Sequence, residues 1–246
     1  MKYSRWAFVL PFVVAGAAFA QSGSLEEVVV TGSRSAEVRL PATSVKRQAD
    51  FLLLQVEVSN DSRDHKLRRD EIYTTLRAMM DAAAKDKSIE LSVIREDNIV
   101  LPFKLTDATL GFDESSSDSL STTISVKTRI DPGITNGALL LEKLKNFMTS
   151  IKTAGRTQLS DEGETQVSVV NIAQYRDQVI QLFSADVKKV TAALGGDYRV
   201  VVRGVDQPIR WVRDGTLGVI IFVPYAYDIV PTTISSYAPG GHARED

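Results

Sequence analysis

At 246 residues the chain is long enough to bury one large core or two small ones, and its 43% hydrophobic and 24% charged shares are ordinary for a globular protein. A formal net charge of −2 provides no global field to draw it to nucleic acid or acidic lipid. Cysteine is absent, which excludes a disulfide framework, a thiolate nucleophile and a cysteine-zinc site.

Residues 1–20 read as a signal peptide. Lys2 and Arg5 give a positive start, Trp6 to Ala18 form an apolar run interrupted by Pro11, and Ala18-Phe19-Ala20 is a small-x-small cleavage pattern. Cleavage after Ala20 predicts a periplasmic mature chain; the rival reading is an uncleaved inner-membrane anchor. No later stretch has the length and apolarity of a membrane helix, so no stable span is expected after cleavage; Leu217 to Val223 is only strand-length.

Residues 21–50 read as an extended leader. In it, Glu26, Glu27, Val28, Val29, Val30 and Thr31 combine an acidic pair with three valines that favour extended backbone, and Gly32 ends the run. Val45 to Asp50 is polar and reads as linker. From Phe51 the sequence predicts a domain, residues 51–231, that begins with a half-buried strand carrying Leu52, Leu54, Val56 and Val58 on one face. A helix over His65–Lys85 follows, with Leu67, Ile72, Leu76, Met79, Met80 and Ala83 on its apolar side and Arg68, Arg69, Asp70, Arg77 and Asp81 on the other. Strands are predicted at 89–94, 99–105 and 121–131, and a second helix at 136–154 with Gly155 as its stop.

Residues 158–164 read as polar loop. Thr165 to Val205 is then predicted as strand, amphipathic helix and strand, the unit on which the rest packs. Its helix gathers Tyr175, Val179, Leu182, Phe183, Val187, Val190 and Leu194 into one stripe before Gly195-Gly196. Trp211 to Tyr227 reads as one long strand or a hairpin, and residues 232–246 as a small, polar, disordered tail. The order predicts an α+β fold: a mixed or mostly antiparallel sheet with helices packed on one face.

Two resemblances follow from these stretches. The decamer Leu25 to Arg34 resembles the TonB box region of TonB-dependent outer-membrane receptors, which pairs as an added strand with the periplasmic domain of TonB. The chain is far too short for the receptor's plug and barrel. Residues 51–231 resemble the SIMPL-domain family of secreted bacterial proteins. The likeness rests on element order, Leu144-Lys145-Asn146-Phe147, the late helix with Asp186-Val187-Lys188-Lys189, and the terminal strand Leu217 to Tyr225. Tyr175 and Phe183 depart from that family's Gly- and Ala-rich late helix, and its proline-rich entry to the first strand is missing. The resemblance implies an envelope-associated protein with no agreed molecular activity.

Reaction chemistry is poorly represented. His65 and His242 have no second histidine at ligand spacing, and the acidic serine-rich stretch Asp113 to Asp118 does not match an EF-hand loop. No phosphate-cradling glycine loop or Gly-x-Ser-x-Gly elbow appears, and Glu26-Glu27 and Asp113-Glu114 fall in expected loops where their acidities stay ordinary. The expectation is therefore no catalytic residue, no cofactor and no metal. Arg199, Arg203, Arg210 and Arg213 form a loose basic cluster suited to a structural face or an acidic partner; Trp211 is expected in core or edge packing, with stacking on that cluster as the alternative. The first functional expectation is a non-enzymatic interaction protein, homo-oligomeric through exposed sheet edges. The second is a TonB-linked accessory presenting Glu26 to Thr31. A hydrolase is the third, requiring carboxylates to converge in a deep pocket.

Overall fold

The computed structural model describes residues 26–30, 40–106, 109–113, 118–163 and 165–235. The valine run forms β1 (Glu27–Val30), and a polar segment forms β2 (Val45–Gln48). The alternating stretch becomes β3 (Phe51–Asn60), with Leu52, Leu54, Val56 and Val58 fully buried. Helix α1 (His65–Lys85) is capped by the Asp64 carboxylate, which accepts from the Leu67 N–H. Strands β4 (Ile89–Ile94) and β5 (Ile99–Pro102) form a hairpin whose turn holds Asn98 at φ 63°, a left-handed conformation that asparagine tolerates. β6 (Leu120–Arg129), α2 (Gly137–Ser150), β7 (Gln158–Asp161) and β8 (Gln166–Val170) follow. A 3₁₀ turn at Ile172–Tyr175 leads into α3 (Arg176–Leu194), then β9 (Tyr198–Arg203), β10 (Arg210–Asp214), β11 (Gly218–Phe222) and β12 (Ala226–Pro231).

Every pairing between these strands is antiparallel. In the main sheet β6, β4, β5, β1, β8 and β3 lie in that order, and β3 pairs back onto β6 from Phe51↔Arg129 to Asn60↔Leu120. The sheet therefore closes into a six-stranded barrel. On its other flank β3 serves two neighbours: Phe51–Leu53 pairs with β8, and Val56–Ser59 with β7. β10, β11 and β2 make a second sheet, and β9 and β12 a two-stranded ribbon. The fold class is α+β.

Register divides the strand side chains into two sets. Leu52, Leu54, Val56 and Val126 share one core with Ile72, Leu76 and Met79 of α1, with Leu140, Leu144 and Phe147 of α2, and with Val219 and Ile221 of β11. These face outward from the barrel, under the helices. The opposite set (Val29, Phe51, Leu53 and Val100) forms a small separate core inside it. Each fully buried leucine contributes about 1.5–3 kcal/mol.

Several expectations are corrected. The unit 165–205 does not organise the fold, because β8 belongs to the barrel and β9 to the ribbon. Helix α3 runs along β9 and β11, with only Val179 and Phe183 buried, so the three helices do not share one sheet face. Periodicity identifies a helix's apolar stripe but not the sheet it meets. The linker Val45–Asp50 contains β2, which pairs with β11, and the polar loop 158–164 contains β7. Both are polar sheet edges held by main-chain hydrogen bonds, which leave no apolar alternation to read. α2 ends at Ser150, before the expected Ala154. β5 stops at Pro102; of the two alternatives for 211–227 the structure has the hairpin, β10 with β11, and β12 follows it. In α1, Leu67 and Met80 are exposed whereas Arg68 is buried, its guanidinium donating to the Ser62 carbonyl.

Gly155, expected to stop α2, instead makes room for Glu71: at φ 53°, a Cβ there would lie 1.9 Å from Glu71 Oε1. Glu71 Oε2 accepts from the Asn60 amide at 2.7 Å, the Ser62 hydroxyl at 2.9 Å and the Arg156 N–H at 3.1 Å. These bonds, the Asn60 one foremost, hold the Glu71 carboxyl below the ordinary glutamate range. A depressed folded value contributes stability above the unfolded value of about 4.3, and that stability is lost as pH falls through the folded value. Glu71→Gln is expected to lower Tm at neutral pH and to flatten its decline between about pH 5 and 3. Thermal scans across that range check this; two parallel curves would refute the role given to Glu71.

Candidate functional site: the valine strand and the barrel it closes

Of the six residues read as a partner-binding strand, Glu26 to Val30 are described and Thr31 lies outside the described residues. The strand is not free. Val28, Val29 and Val30 are at most 2% exposed, and β1 sits between β5 and β8. It pairs Glu27↔Val100 and Val28↔Ile99 on one side, and Glu27↔Val170 through Val30↔Val167 on the other. The Val29 N–H donates to the Asn98 carbonyl at 2.8 Å, and the Val29 carbonyl accepts from the Trp211 indole N–H at 3.2 Å. Trp211 thus braces β1 from the second sheet. Both edges of the strand are occupied, which corrects the reading of Glu27–Val30 as part of a free leader.

Alternation sends Val28 and Val30 to the outer core and Glu27 and Val29 to the barrel interior. Inside, Glu27 Oε2 meets Lys127 Nζ at 2.5 Å, and Glu27 Oε1 accepts from the Ser168 hydroxyl at 2.6 Å. The two charged side chains are only 8% and 11% exposed. Lys127 also reaches Glu90 at 3.3 Å and lies 4.2 Å from the Phe51 ring centroid, so its charge has carboxylate and aromatic partners. Sequence reading missed this pair. In Leu120–Arg129 the apolar residues Ile124 and Val126 alternate with Ser125 and Lys127, which normally marks a water-facing side. In a closed barrel that side is the interior.

A recess of about 340 Å³ lies at the barrel end carrying Glu57, Ile94 and Thr123, and its rim includes Asp113 and Glu162. Glu57 is half-buried and accepts from Ser160 at 3.3 Å; exposed Glu162 accepts from Thr123 at 3.0 Å. Asp113 is exposed as well. Burial that would split these carboxylates into a proton donor and an acceptor is not present at this recess. Among the described residues, no group of three or more His, Asp or Glu side chains is placed to hold a metal ion.

The four arginines are dispersed. Arg203 pairs with Asp228 at 2.8 Å, Arg199 donates to the Ile234 carbonyl, and Arg213 donates to the Thr165 carbonyl, while Arg210 is exposed. Arg199, Arg203 and Arg213 serve local structure. A larger groove, about 750 Å³, runs between α1 and α2. Ala78, Ala82, Leu139 and Phe147 supply its apolar lining, and Asp81, Lys85, Asp86, Glu142 and Lys143 supply its charges. Leu139 is 63% exposed there. No described helix is long and apolar enough to cross a membrane.

No family model matches the chain, and no curated protein matches it. Among solved structures, one described as the crystal structure of an uncharacterized conserved protein from Listeria innocua aligns over 75% of this chain and 92% of that one. The identity is 13% and the TM-score 0.15, a likeness that carries no argument about fold or function.

Proposed function

We propose that the chain is an exported, periplasmic, non-enzymatic interaction protein of the cell envelope, of SIMPL-domain type. The signal-like residues 1–20 support export, and the succession of strand, helix, hairpin, strand and helix from β3 to α2 supports the domain type. The observation that carries the interaction reading is the α1–α2 groove. It combines an exposed leucine, two alanines and Phe147 with a rim of both charge signs, and its volume of about 750 Å³ supports the docking of a segment of another protein. Ala82 and Leu139 lie on different helices, so a bound segment would bridge the two. Capture of partners from envelope extract by the full chain is expected to fall about tenfold in Leu139→Asp and in Ala82→Arg, with far-UV circular dichroism unchanged. Undiminished capture by both variants would exclude the groove.

The TonB-linked reading rests on the same valine strand, whose extended conformation is favoured by its sequence. Because β5 and β8 occupy its two edges, presentation to TonB requires β1 to leave the barrel and to separate Glu27 from Lys127. That reading is therefore one of conditional exposure.

A further inference from the structure

β9 and β12 pair only with each other among the described residues. A lone two-stranded ribbon is marginal in water unless more strands or a covering helix support it. Helix α3 packs along β9, and the far edge of β12 has no strand partner among the described residues. Register places Tyr198 beside Pro231, Val200 beside Ile229 and Val202 beside Tyr227 on one face, and none of the six carries a charge. Tyr198 is 42% exposed and Ile229 47%. The single charge on β12, Asp228, points to the other face and is paired with Arg203 of the same chain. Two copies of this strand can therefore approach without repulsion.

We infer that β12 is a self-association edge, pairing antiparallel with β12 of a second copy across a two-fold axis at Ile229. Outward N–H and C=O groups of a strand are satisfied in kind by another strand, and identical strands meet most simply across a two-fold axis. Facing side chains stay on matching faces only when the axis passes through a residue paired with its own counterpart. An axis at Asp228 would set two carboxylates opposite one another, which is destabilising. An axis at Ile229 sets isoleucine against isoleucine, Tyr227 against Pro231 and Asp228 against Val230, and joins the two uncharged faces. Pro231 has no N–H to donate to Tyr227, so the main-chain bonds are those exchanged at Ile229 and from the Tyr227 N–H to the Pro231 carbonyl. A six-residue edge is much smaller than the standard interface of about 1,600 Å², so the dimer is weak and concentration-dependent.

The absence of cysteine allows a direct test on the full chain. Ile229→Cys places one thiol at the axis, where directly opposed Cβ atoms lie about 4.5–5.5 Å apart, close enough for a disulfide after small adjustment. Mild oxidation is expected to yield a covalent dimer, whereas Leu139→Cys on the more exposed α2 site remains mainly monomeric. Sedimentation of the unsubstituted chain is expected to show a monomer–dimer equilibrium that Ile229→Lys abolishes. Should the lysine variant fail to fold, the cysteine pair still decides. Sedimentation as a monomer at every concentration would overturn the inference, as would equally fast cross-linking at Leu139. The groove variants leave this equilibrium unchanged, so failure here is distinct from failure of the interaction reading.

Discussion

Lys127→Ala is expected to destabilise the fold by about 3–5 kcal/mol, because it leaves the Glu27 carboxylate inside the barrel without its counter-charge. The pair is largely buried: Lys127 lies against Phe51, Glu27 is also held by Ser168, and neither charged side chain is more than 11% exposed. Glu90 cannot substitute, since it is an exposed carboxylate on the wrong partner. Removing both charges together should be far milder. Glu27→Gln with Lys127→Met keeps the volume and discards the ions, and such replacements of buried pairs are often neutral or stabilising. Urea unfolding of the single and double variants measures the difference. A loss below about 1 kcal/mol in Lys127→Ala would mean that the pair behaves as a surface bridge and that β1 is not anchored by it.

Val29→Pro is the second large effect. Proline removes the N–H that reaches the Asn98 carbonyl and empties a valine site inside the barrel, at a cost of about 3 kcal/mol or more. Loss of β1 would uncover the facing edges of β5 and β8. Hydrogen exchange is therefore expected to accelerate at Ile99, Val100 and Val167 to Val170 while the amides of α1 remain protected. Uniform acceleration throughout the chain would show that β1 is not a separable stave. The same substitution would confound a TonB assay on the folded protein, so the assay belongs to a peptide. A peptide of residues 24–34 is expected to bind the TonB periplasmic domain at least about tenfold more tightly than the folded chain, and the peptide with Val29→Pro to lose that binding. Equal binding by the two peptides would rule out strand addition.

Where the sequence repeats a period, it was readable. β3 and α1 appear close to their expected bounds because Leu52, Leu54, Val56 and Val58 alternate, and because Ile72, Leu76 and Met79 recur at helical spacing. Val-Lys-Arg-Gln and Gln-Leu-Ser-Asp left no such trace, since an edge strand held by main-chain bonds does not need apolar side chains. The valine run was legible as a strand and illegible as to place. Its neighbours are set by residues far along the chain, and three valines fit a free leader or a barrel wall equally well. Lys127 was hidden for a related reason: alternation shows that a strand has two faces, and closure of the sheet then decides that the polar face is buried too. The late helix shows the converse, a clear stripe whose covering element could not be inferred.

The position of β1 has a consequence for how the chain reaches its final form. Ser168, whose hydroxyl meets Glu27, follows it by 141 residues, and Lys127 follows by 100. During synthesis the valines are made well before Lys127 and Ser168, and they cannot be seated until those residues have followed. Until β8 has been synthesised, three consecutive β-prone residues remain without their partners, and closing so distant a contact is slow. This is the interval in which a holding chaperone would matter most, and in which unassisted chains would clump.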